Sequence, residues 1–523
     1  MVAERVPRDL RVLRDQVLWQ LIERRAGLTP NRRLAVDEAG RALTFAEYRD
    51  SCERLAAGLA ARGIGVDSRV SWQLPTWIES LVLIGALARL GAVQNPMLPI
   101  YREREMRFIT NQFAPTLWIV PSTWRGFDYE AVAQRIVADQ PGMQILVVAR
   151  GEALPEGDPA TLQAFAAPPP ATTRWVFYTS GTTADPKGAR HADSGAIAAA
   201  HGVIERNDIT EDDVSAIVFP ITHIGGVLSL LESLATGSSF VLIEAFDPAT
   251  SIPIIAGAGT SLVGAGTPFF LAYLAAQRAQ PGVPLFPRAR MFPGGGMPKP
   301  PELHYEVKRE LGGAGIVSGY GMTECPVFTM NRIGDPDDRL AETEGRPVTG
   351  GEVRIVRLDG TLAGTGEEGE LRVKGPQRFL GYLDASLDAA AFDDEGFFRS
   401  GDLGKQDAEG YVVITGRVKD IIIRKGENIS AQEVENLLYA HPKVADVAVV
   451  GLPDPASGER VCAIVVPVDP TEPLTFDEMV EHLHAEGLMK QKIPEQLELV
   501  GDLPRNPTGK VLKHELRASF SAS

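Results

Sequence analysis

A short stretch rich in glycine and hydroxyl residues, YTSGTTADPKGAR at residues 178–190, has the composition of an anion-binding loop. Gly181 would let the backbone approach an anion closely, and Lys187 would supply a mobile positive charge. The hydroxyl side chains that add hydrogen-bond donors are Thr179, Ser180, Thr182 and Thr183. The spacing is not that of a Walker A loop, which requires G-x-x-x-x-G-K-[ST]. The composition predicts a phosphate-binding loop of another kind, with a polar surface turn as the alternative.

Other kinds of chemistry find little support in the sequence. The glycine-rich stretches GAGTSLVGAG and GGAGIVSGYG do not give a G-x-G-x-x-G dinucleotide fingerprint between a strand and a helix. Cys52, Cys325 and Cys462 lie far apart, so no metal or redox spacing is present. No Ser-His-Asp arrangement stands in a recognisable context.

Alternating helices and strands must position the loop. In LTFAEYRDSCERLAAGLAARG, Thr44 and Glu47 have capping-box spacing, the apolar residues share one helical face, and Gly63 marks a stop. WIESLVLIGALARLG predicts a second, more buried helix. The short apolar runs LWIV, QILVVA and WVFYTS predict strands. Such alternation favours an α/β architecture with a largely parallel sheet.

The last third of the chain has a different pattern of apolar and polar residues. GEVRIVRLDG and GELRVKG alternate in the manner of antiparallel strands with glycine turns. After them come a capping box at Ser430 and Glu433, the strand-like runs VADVAVVGLPD and RVCAIVVPV, and a helix near 476–485.

The predicted fold class is α/β. A large N-terminal domain, 1–418, has mixed and parallel sheets flanked by helices and a small antiparallel barrel-like part. A small mobile α+β C-terminal domain, 419–523, follows a boundary at Lys419.

Composition limits the partners and the compartment. The 523 residues carry a net charge of −16, so nucleic-acid binding is not expected, because that affinity comes mainly from neutralising phosphates. The N-terminal MVAERVPRDL lacks an apolar segment typical of a signal peptide. The most apolar early stretch, from Leu81, is interrupted by Arg89 and is too short to span a membrane. We expect a cytoplasmic protein, with peripheral membrane contact and a homodimer both left open.

The loop at 178–190 resembles the phosphate loop of the adenylate-forming superfamily, which includes acyl-CoA synthetases, adenylation domains of peptide synthetases and beetle luciferases. The other motifs of that superfamily follow in order: PITHIGG from Pro220, PGGGMPKP from Pro293, GYGMTEC from Gly319, GELRVKGP from Gly369, FFRSGDLG from Phe397, GRVKDIIIRKGENIS from Gly416 and PRNPTGK from Pro504. Together they cover about 178–510, and so many ordered motifs identify the chain as a member.

The resemblance implies a two-step reaction. A carboxylate would attack the α-phosphate of ATP and release pyrophosphate, and a thiol, usually that of coenzyme A, would then take the acyl group. A carboxylic acid has a pKa of about 4 and is ionised at neutral pH, so it needs no base. Two anions must meet, and we therefore expect positioning and charge neutralisation to dominate catalysis.

The resemblance also implies how ATP would be held. The β- and γ-phosphates would lie against Thr179, Ser180, Gly181, Thr182, Thr183 and Lys187. Glu324 would bind Mg²⁺, with Thr179 as a helper. Adenine would lie between Gly294, Gly295 and Gly296 on one face and Tyr320 on the other, with Gly321, Met322 and Thr323 completing the nucleotide-binding motif. Asp402 would accept hydrogen bonds from the ribose, and Arg417 would contact ribose or phosphate.

The two half-reactions would use opposite faces of the small domain. Lys510 matches the lysine that reaches the substrate carboxylate and the α-phosphate, and Lys419 matches the hinge about which the domain rotates. Lys425 and Gly426 would flank the pantetheine tunnel of coenzyme A. One position departs from the pattern. The family reads SGTTG-x-PKG, and the second glycine is replaced here by Ala184, whose methyl group would restrict a positive φ.

The acyl substrate is predicted from the residues around His223, which aligns with an aromatic position beside the substrate carboxylate. The stretches IGGVLSLLESLA and VGAGTPFF suit an apolar acyl group. Peptide-synthetase domains place an aspartate near this histidine, whereas its neighbours here are Pro220, Ile221, Thr222 and Ile224. We therefore predict a medium-chain, alicyclic or aromatic acid and coenzyme A as acceptor.

Three alternatives remain. The chain could be a stand-alone adenylating enzyme that loads an acyl carrier protein. It could also have luciferase-type oxygen chemistry, which no residue marks, or be a non-catalytic ATP-binding scaffold. The scaffold is disfavoured because the chain retains Lys187, Glu324, Asp402, Arg417 and Lys510.

Overall fold

The structure is a computed structural model that describes residues 17–179, 186–297, 299–424, 427–455, 457–505 and 510–521, without the side chains of 427 and 428. The helices are α1 (Leu18–Leu28), α2 (Phe45–Ala60), α3 (Ile78–Leu90), α4 (Glu103–Phe113), α5 (Tyr129–Ala138), α6 (Asp193–Asn207), α7 (Ile224–Thr236), α8 (Pro248–Gly257), α9 (Thr267–Ala279), α10 (Pro301–Leu311), α11 (Asp337–Glu342), α12 (Asp388–Ala391), α13 (Ala431–Tyr439), α14 (Phe476–Ala485) and α15 (Lys513–Phe520).

The strands occupy the segments between and after these helices. They are β1 (Arg33–Asp37), β2 (Ala42–Thr44), β3 (Arg69–Trp72), β4 (Val93–Pro96), β5 (Leu117–Pro121), β6 (Thr123–Trp124), β7 (Phe127–Asp128), β8 (Gln144–Val148), β9 (Thr173–Thr179), β10 (Lys187–Ala192), β11 (Val214–Ile217), β12 (Ser239–Leu242), β13 (Phe292–Gly295), β14 (Ile316–Met322), β15 (Cys325–Met330), β16 (Arg346–Pro347), β17 (Glu352–Val356), β18 (Gly369–Lys374), β19 (Phe398–Gln406), β20 (Val412–Arg417), β21 (Ile421–Arg424), β22 (Glu427–Ser430), β23 (Val444–Asp454), β24 (Gly458–Pro467) and β25 (Gln496–Leu499).

Parallel and mixed sheets form the larger part of the molecule, as the sequence predicted. In the described part of the chain, one sheet has the order β10-β9-β4-β3-β5-β8, in which only the β9–β10 hairpin is antiparallel. A second sheet has the order β11-β12-β1-β2, and a third has β13-β14-β15-β16. Helices α2, α3, α6 and α7 pack into the main hydrophobic core. This arrangement brings the ends of β9, β13 and β14 toward the candidate site.

The predicted first helix is confirmed in its local details. The Glu47 amide donates to Thr44 Oγ1 (3.2 Å), and the Thr44 amide donates to Glu47 Oε2 (2.8 Å), which completes the capping box of α2. Gly63, just past the helix, has a φ of 85° in the left-handed region that favours glycine. The predicted strands LWIV, QILVVA and WVFYTS correspond to β5, β8 and β9.

An antiparallel sheet, in the order β17-β18-β19-β20, follows the mixed sheets. The register of β19 and β20 places Asp402 opposite Arg417. The chain then turns through Val418–Asp420 into β21. Lys419, the predicted hinge, therefore lies between the antiparallel sheet and the C-terminal elements.

The C-terminal elements form a sheet of their own, in the order β22-β21-β24-β23, with β25 parallel to β24. Helices α13 and α14 cover one face through a core that includes Val434, Val449 and Leu483. Helix α15 covers the other face through Leu516. The C-terminal elements therefore have hydrophobic cores of their own, as an independent domain does. The domain boundary at Lys419 stays a prediction.

The predicted capping box of α13 is only half present. Ser430 Oγ accepts from the Glu433 amide (3.3 Å), but the Glu433 carboxylate pairs with Lys492 (2.6 Å). Lys492, which is 59 residues away in the sequence, thus binds the Glu433 carboxylate in place of the Ser430 backbone amide.

Among the described residues, no helix is long and apolar enough to cross a membrane. The three cysteines are buried and free.

Candidate active site

A cavity of about 340 Å³ lies between the antiparallel sheet, the β13–β14 edge and the C-terminal unit. Residues from five separate sequence motifs line it. Those predicted to bind nucleotide or to act in catalysis are Gly296, Tyr320, Gly321, Asp402, Arg417, Lys419 and Lys510. The tertiary structure therefore assembles one site from residues that span more than 200 positions of the sequence.

Asp402 is held rigidly at the wall of this cavity. Arg417 Nε donates to Asp402 Oδ1 (2.8 Å), because the β19–β20 register places the two residues opposite each other. The Tyr320 hydroxyl donates to Asp402 Oδ2 (2.7 Å). Burial, followed by the nearby Asp402 charge, raises the pKa of Tyr320 well above its usual value, so the phenol stays a neutral donor. Two fixed donors thus orient a carboxylate that is only 4% exposed.

The glycines of the β13–β14 edge allow close contact between backbones. Gly295 pairs with Gly319, and a Cβ on Gly295 would lie 2.7 Å from the Gly319 carbonyl oxygen. A Cβ on Gly321 would lie 2.1 Å from the Pro326 carbonyl oxygen. Gly296 has a φ of 77°, in the region that side chains disfavour. These glycines are therefore required by the fold itself, in addition to any approach of a ligand.

A second cluster joins the end of β9 to the motif GYGMTEC. The β9–β10 register pairs Thr179 with Lys187. Lys187 Nζ lies 5.4 Å from the ring centroid of Tyr382, and the Tyr382 hydroxyl donates to Glu324 Oε1 (2.7 Å). His191 donates from Nε2 to the Thr323 carbonyl (2.8 Å), which fastens this motif to β10. Lys187 and Glu324 thus both contact Tyr382, and Thr179 lies opposite Lys187 in the hairpin.

Sequence reasoning missed Tyr382. The residue lies in a loop segment, GYLDA, 58 positions from Glu324. No periodicity marks such a residue. Pairing of this loop with β10, through the Leu383 amide and the Gly188 carbonyl (2.7 Å), places the phenol beside Glu324. A long-range contact of this kind leaves no local signal in the sequence.

The residues of this cluster fit a magnesium ion. Glu324 and Thr179 offer the oxygen ligands that a hard cation prefers. Within the described ranges, no group of three or more His, Cys, Asp or Glu residues could hold a metal by itself. Magnesium is commonly bound by one or two carboxylates together with substrate phosphates. The donor set therefore suits an ion that arrives with a nucleotide.

We expect Tyr382→Phe to raise the half-saturating magnesium concentration about tenfold, because a partner that orients a metal ligand typically affects metal affinity by 10–100-fold. The phenylalanine ring keeps the contact with Lys187 and removes only the bond to Glu324. The measurement is pyrophosphate release as magnesium is varied. Tyr305→Phe, at a ring that is 36% exposed, is the control. An unchanged magnesium requirement in Tyr382→Phe would refute a positioning role.

Lys510 comes from the C-terminal unit and enters the same cavity. Burial, followed by the Arg417 charge, lowers its pKa to about 8, and the Asp402 and Glu324 charges raise it. Burial, followed by the Lys510 charge, lowers the pKa of His223 to about 4. His223 precedes α7 and its Nδ1 accepts from the Gly225 amide (3.1 Å), so the neutral ring carries its proton on Nε2. Lys510 and His223 are therefore close enough for the lysine charge to act on the imidazole.

The pH dependence of acyl-adenylate formation should reflect Lys510. A lowered pKa means that the ammonium is present below about pH 8 and is lost as the pH rises through that value. We expect kcat/KM for pyrophosphate release to fall above about pH 8, since this parameter reports the free enzyme. No transition is expected near 6.5, because His223 stays neutral. Lys510→Arg should abolish the decline, since arginine remains charged. A decline that persists in this variant would exclude Lys510 as its source.

Several predicted site residues lie outside the described residues. They are Ser180, Gly181, Thr182, Thr183, Ala184, Lys425 and Gly426. Their predicted roles, and the effect of Ala184 on the phosphate loop, therefore stay predictions. Thr179 and Lys187, which belong to the described residues on either side of 180–185, are paired by the hairpin register.

The fold and the cavity residues are those expected for a nucleotide-binding enzyme, and comparison with known families supports this class. Residues 22–383 match the family model "AMP-binding enzyme", and residues 433–510 match "AMP-binding enzyme C-terminal domain". The first match alone covers more than half of the chain. The chain therefore belongs to the AMP-binding enzyme family, within the adenylate-forming superfamily.

Relatives in this family differ in the acid and in the acceptor that their names give. The chain is 31% identical to the medium-chain fatty-acid–CoA ligase of Escherichia coli K12, over 96% of this chain and 91% of the relative. It is 35% identical to the salicyl-AMP ligase/salicyl-S-ArCP synthetase of Mycobacterium tuberculosis, over 92% and 87%. The structure of o-succinylbenzoate coenzyme A synthetase from Bacillus subtilis, in complex with ATP and magnesium, superimposes with a TM-score of 0.82 at 27% identity, covering 96% and 99%.

Proposed function

We propose that this protein is an ATP-dependent acyl-CoA synthetase. It converts an apolar carboxylic acid into an acyl-adenylate and pyrophosphate, and then into a thioester with coenzyme A. The observation that carries the proposal is the position of Lys510. This lysine comes from the C-terminal unit and lines one cavity with Asp402, Arg417 and Tyr320, and its charge lowers the pKa of His223.

In the first half-reaction, a carboxylate oxygen of the acid attacks the α-phosphorus of ATP. The new bond forms as the bond to the bridging oxygen of pyrophosphate breaks. Both reactants are anions, so a cation beside the reacting atoms lowers the barrier. Lys510 supplies that cation, and Lys187 supplies another at the phosphate tail. Glu324 and Thr179 would hold magnesium, which would neutralise further phosphate charge.

The nucleotide would be oriented by the wall of the cavity. In this proposal Asp402 accepts hydrogen bonds from the ribose hydroxyls, since Arg417 and Tyr320 already fix the direction of its carboxylate. Tyr320 and Gly296, the residue just after β13, would offer an aromatic face and the backbone to adenine. Such preorganisation is valuable because it costs no rearrangement when the reaction occurs.

In the second half-reaction, the thiolate of coenzyme A attacks the acyl carbonyl carbon and AMP leaves. Lys510 lines the cavity in the present arrangement, which would suit the first half-reaction. Rotation about Lys419 would withdraw Lys510 and bring Lys425 and Gly426 toward the acyl-adenylate. The domain boundary at Lys419 is part of this proposal.

A second candidate is an adenylating enzyme that loads a carrier protein. The specific observation in its favour is the 35% identity to a relative named for salicyl-S-ArCP synthesis. Both candidates share the first half-reaction and differ only in the thiol acceptor. Coenzyme A alone therefore distinguishes them, because a carrier-dependent enzyme would leave the acyl-adenylate in place.

The test is ATP–pyrophosphate exchange with single acids, followed by addition of coenzyme A. The panel contains saturated fatty acids of increasing length, alicyclic acids, benzoate, salicylate, indoleacetate and amino acids. We expect exchange with apolar acids and formation of an acyl-CoA thioester. Exchange only with amino acids would overturn the predicted substrate class. The absence of exchange with every acid would favour the non-catalytic scaffold.

A further inference from the structure

Glu344 is an acidic residue in the wall of the nucleotide cavity, and the reaction proposed above does not use it. It follows α11 and lines the cavity together with Gly296, Met297 and Tyr320. Its side chain is half-buried, whereas that of Glu342, two residues earlier, is exposed. An ionised carboxylate only accepts hydrogen bonds. Glu344 therefore offers an acceptor to the part of a nucleotide that lies beside it.

The backbone of Glu344 is fixed to the strands around Tyr320. The Thr329 hydroxyl donates to the Glu344 carbonyl (2.7 Å), and Thr329 is the register partner of Tyr320 in the β14–β15 pair. The Glu344 amide donates to the carbonyl of Val412 (2.8 Å), the first residue of β20. Glu344 thus lies at the Val412 end of β20.

The opposite end of β20 carries the contacts proposed for ribose. Arg417, the last residue of this strand, pairs with Asp402. Ile414 and Gly416, which lie between the two ends, also line the cavity. The strand has six residues and rises about 3.3 Å per residue, so its two ends are well separated. A nucleoside that lies along β20 with its ribose at Asp402 therefore directs its base toward Glu344.

The carboxyl group of Glu344 lies near both walls between which adenine is proposed to bind. Burial raises its pKa, and the Lys299 charge and a hydrogen bond from Ser318 oppose this rise. Ser318 is on β14 and precedes Gly319, which pairs with Gly295 of β13. Lys299 belongs to the segment that follows β13. The carboxyl group is therefore close to the far edge of the adenine site, away from ribose.

We propose that Glu344 determines the base specificity of the enzyme by accepting a hydrogen bond from the exocyclic amino group of adenine. This inference rests on the proposed function and deepens it, because it names the group by which ATP is selected. Adenine carries an amino donor at C6, on the ring that is farther from the ribose, whereas guanine and hypoxanthine carry a carbonyl acceptor there. A carboxylate attracts the donor and repels the acceptor. Hydrogen bonds to an ionised group are stronger than those between neutral groups, so this contact discriminates well.

The experiment measures the binding of three nucleotides with magnesium by calorimetry, in the absence of acid. They are ATP, inosine triphosphate, which has a carbonyl at C6, and purine riboside triphosphate, which has only a hydrogen there. We expect wild type to bind ATP about tenfold more tightly than the purine nucleotide and about 100-fold more tightly than the inosine nucleotide. Glu344→Gln should bind ATP and inosine triphosphate within about threefold of each other, because an amide both donates and accepts. Glu344→Val should bind all three nucleotides with similar affinity.

Glu342→Gln is the matched control, because the charge of Glu342 also acts on Lys299 while its side chain is exposed. This variant should keep the wild-type order of affinities. The inference is overturned if wild type binds inosine triphosphate as tightly as ATP, if it does not bind ATP, or if the preference for ATP persists in a folded Glu344 variant. The Tm of each variant without nucleotide reports whether it is folded, and either Glu344 variant is sufficient for the comparison.

Pyrophosphate release with the panel of acids is measured separately on wild type. If no acid supports release, the proposed function fails, whereas the order of the nucleotide affinities still decides the role of Glu344. If release occurs but the affinities for ATP and inosine triphosphate are equal, the proposed function stands and the inference fails.

Discussion

Lys510→Ala is expected to slow acyl-adenylate formation by about 10²–10³-fold while thioester formation from a preformed acyl-adenylate is retained. The removal of one preorganised charge or hydrogen-bond donor at a reacting centre typically costs that much. The lysine lies in the cavity with Asp402 and Arg417, and its lowered pKa reflects how little water surrounds it. Its charge is therefore poorly screened and acts strongly on the reacting anions.

The two half-reactions must be measured separately for this prediction. Pyrophosphate release reports the first, and conversion of synthetic acyl-adenylate with coenzyme A reports the second. Lys490→Ala, at an exposed lysine of the same C-terminal unit, controls for the loss of a positive charge. A similar loss in both half-reactions of Lys510→Ala would contradict the assigned role and would point to a structural defect.

Lys419→Pro is expected to lower thioester formation about 10²-fold more than adenylation. Proline fixes φ near −65°. Lys419 lies in the short 3₁₀ turn Val418–Asp420, where φ is typically between about −50° and −70°. The substitution is thus compatible with the arrangement that places Lys510 in the cavity. It would hinder any arrangement that requires a different φ at this position.

Lys419→Ala is the matched variant, because it removes the same side chain without restricting the backbone. The difference between the alanine and proline variants reports the backbone alone. Thioester formation from preformed acyl-adenylate is the decisive measurement. If alanine and proline reduce this step equally, Lys419 does not act as a hinge.

The sequence by itself determined the local secondary-structure elements and the candidate residues of the site. Thr44 and Glu47 fix the start of α2 because they are three residues apart and bond to each other's backbone. The helix predicted near 476–485 corresponds to α14, and the runs after Gly416 correspond to β23 and β24. Such features depend on neighbours a few residues away, so their signals survive in the order of residues. The ordered motifs identified the superfamily for the same reason.

The tertiary structure decided which residues meet. Asp402 faces Arg417 through strand register, and Tyr382 reaches Glu324 through the pairing of its loop with β10. Glu433 has capping-box spacing but binds Lys492, since a charged partner nearby in space outcompetes the local amide.

Glu232 shows this division most clearly. In the sequence it is one acidic residue in an apolar helix, which periodicity would assign to solvent. Only the tertiary structure half-buries this side chain, and that burial raises the pKa of its carboxyl group to about 8. Desolvation depends on everything that surrounds a group in space, and this information is not contained in the order of its neighbours along the chain.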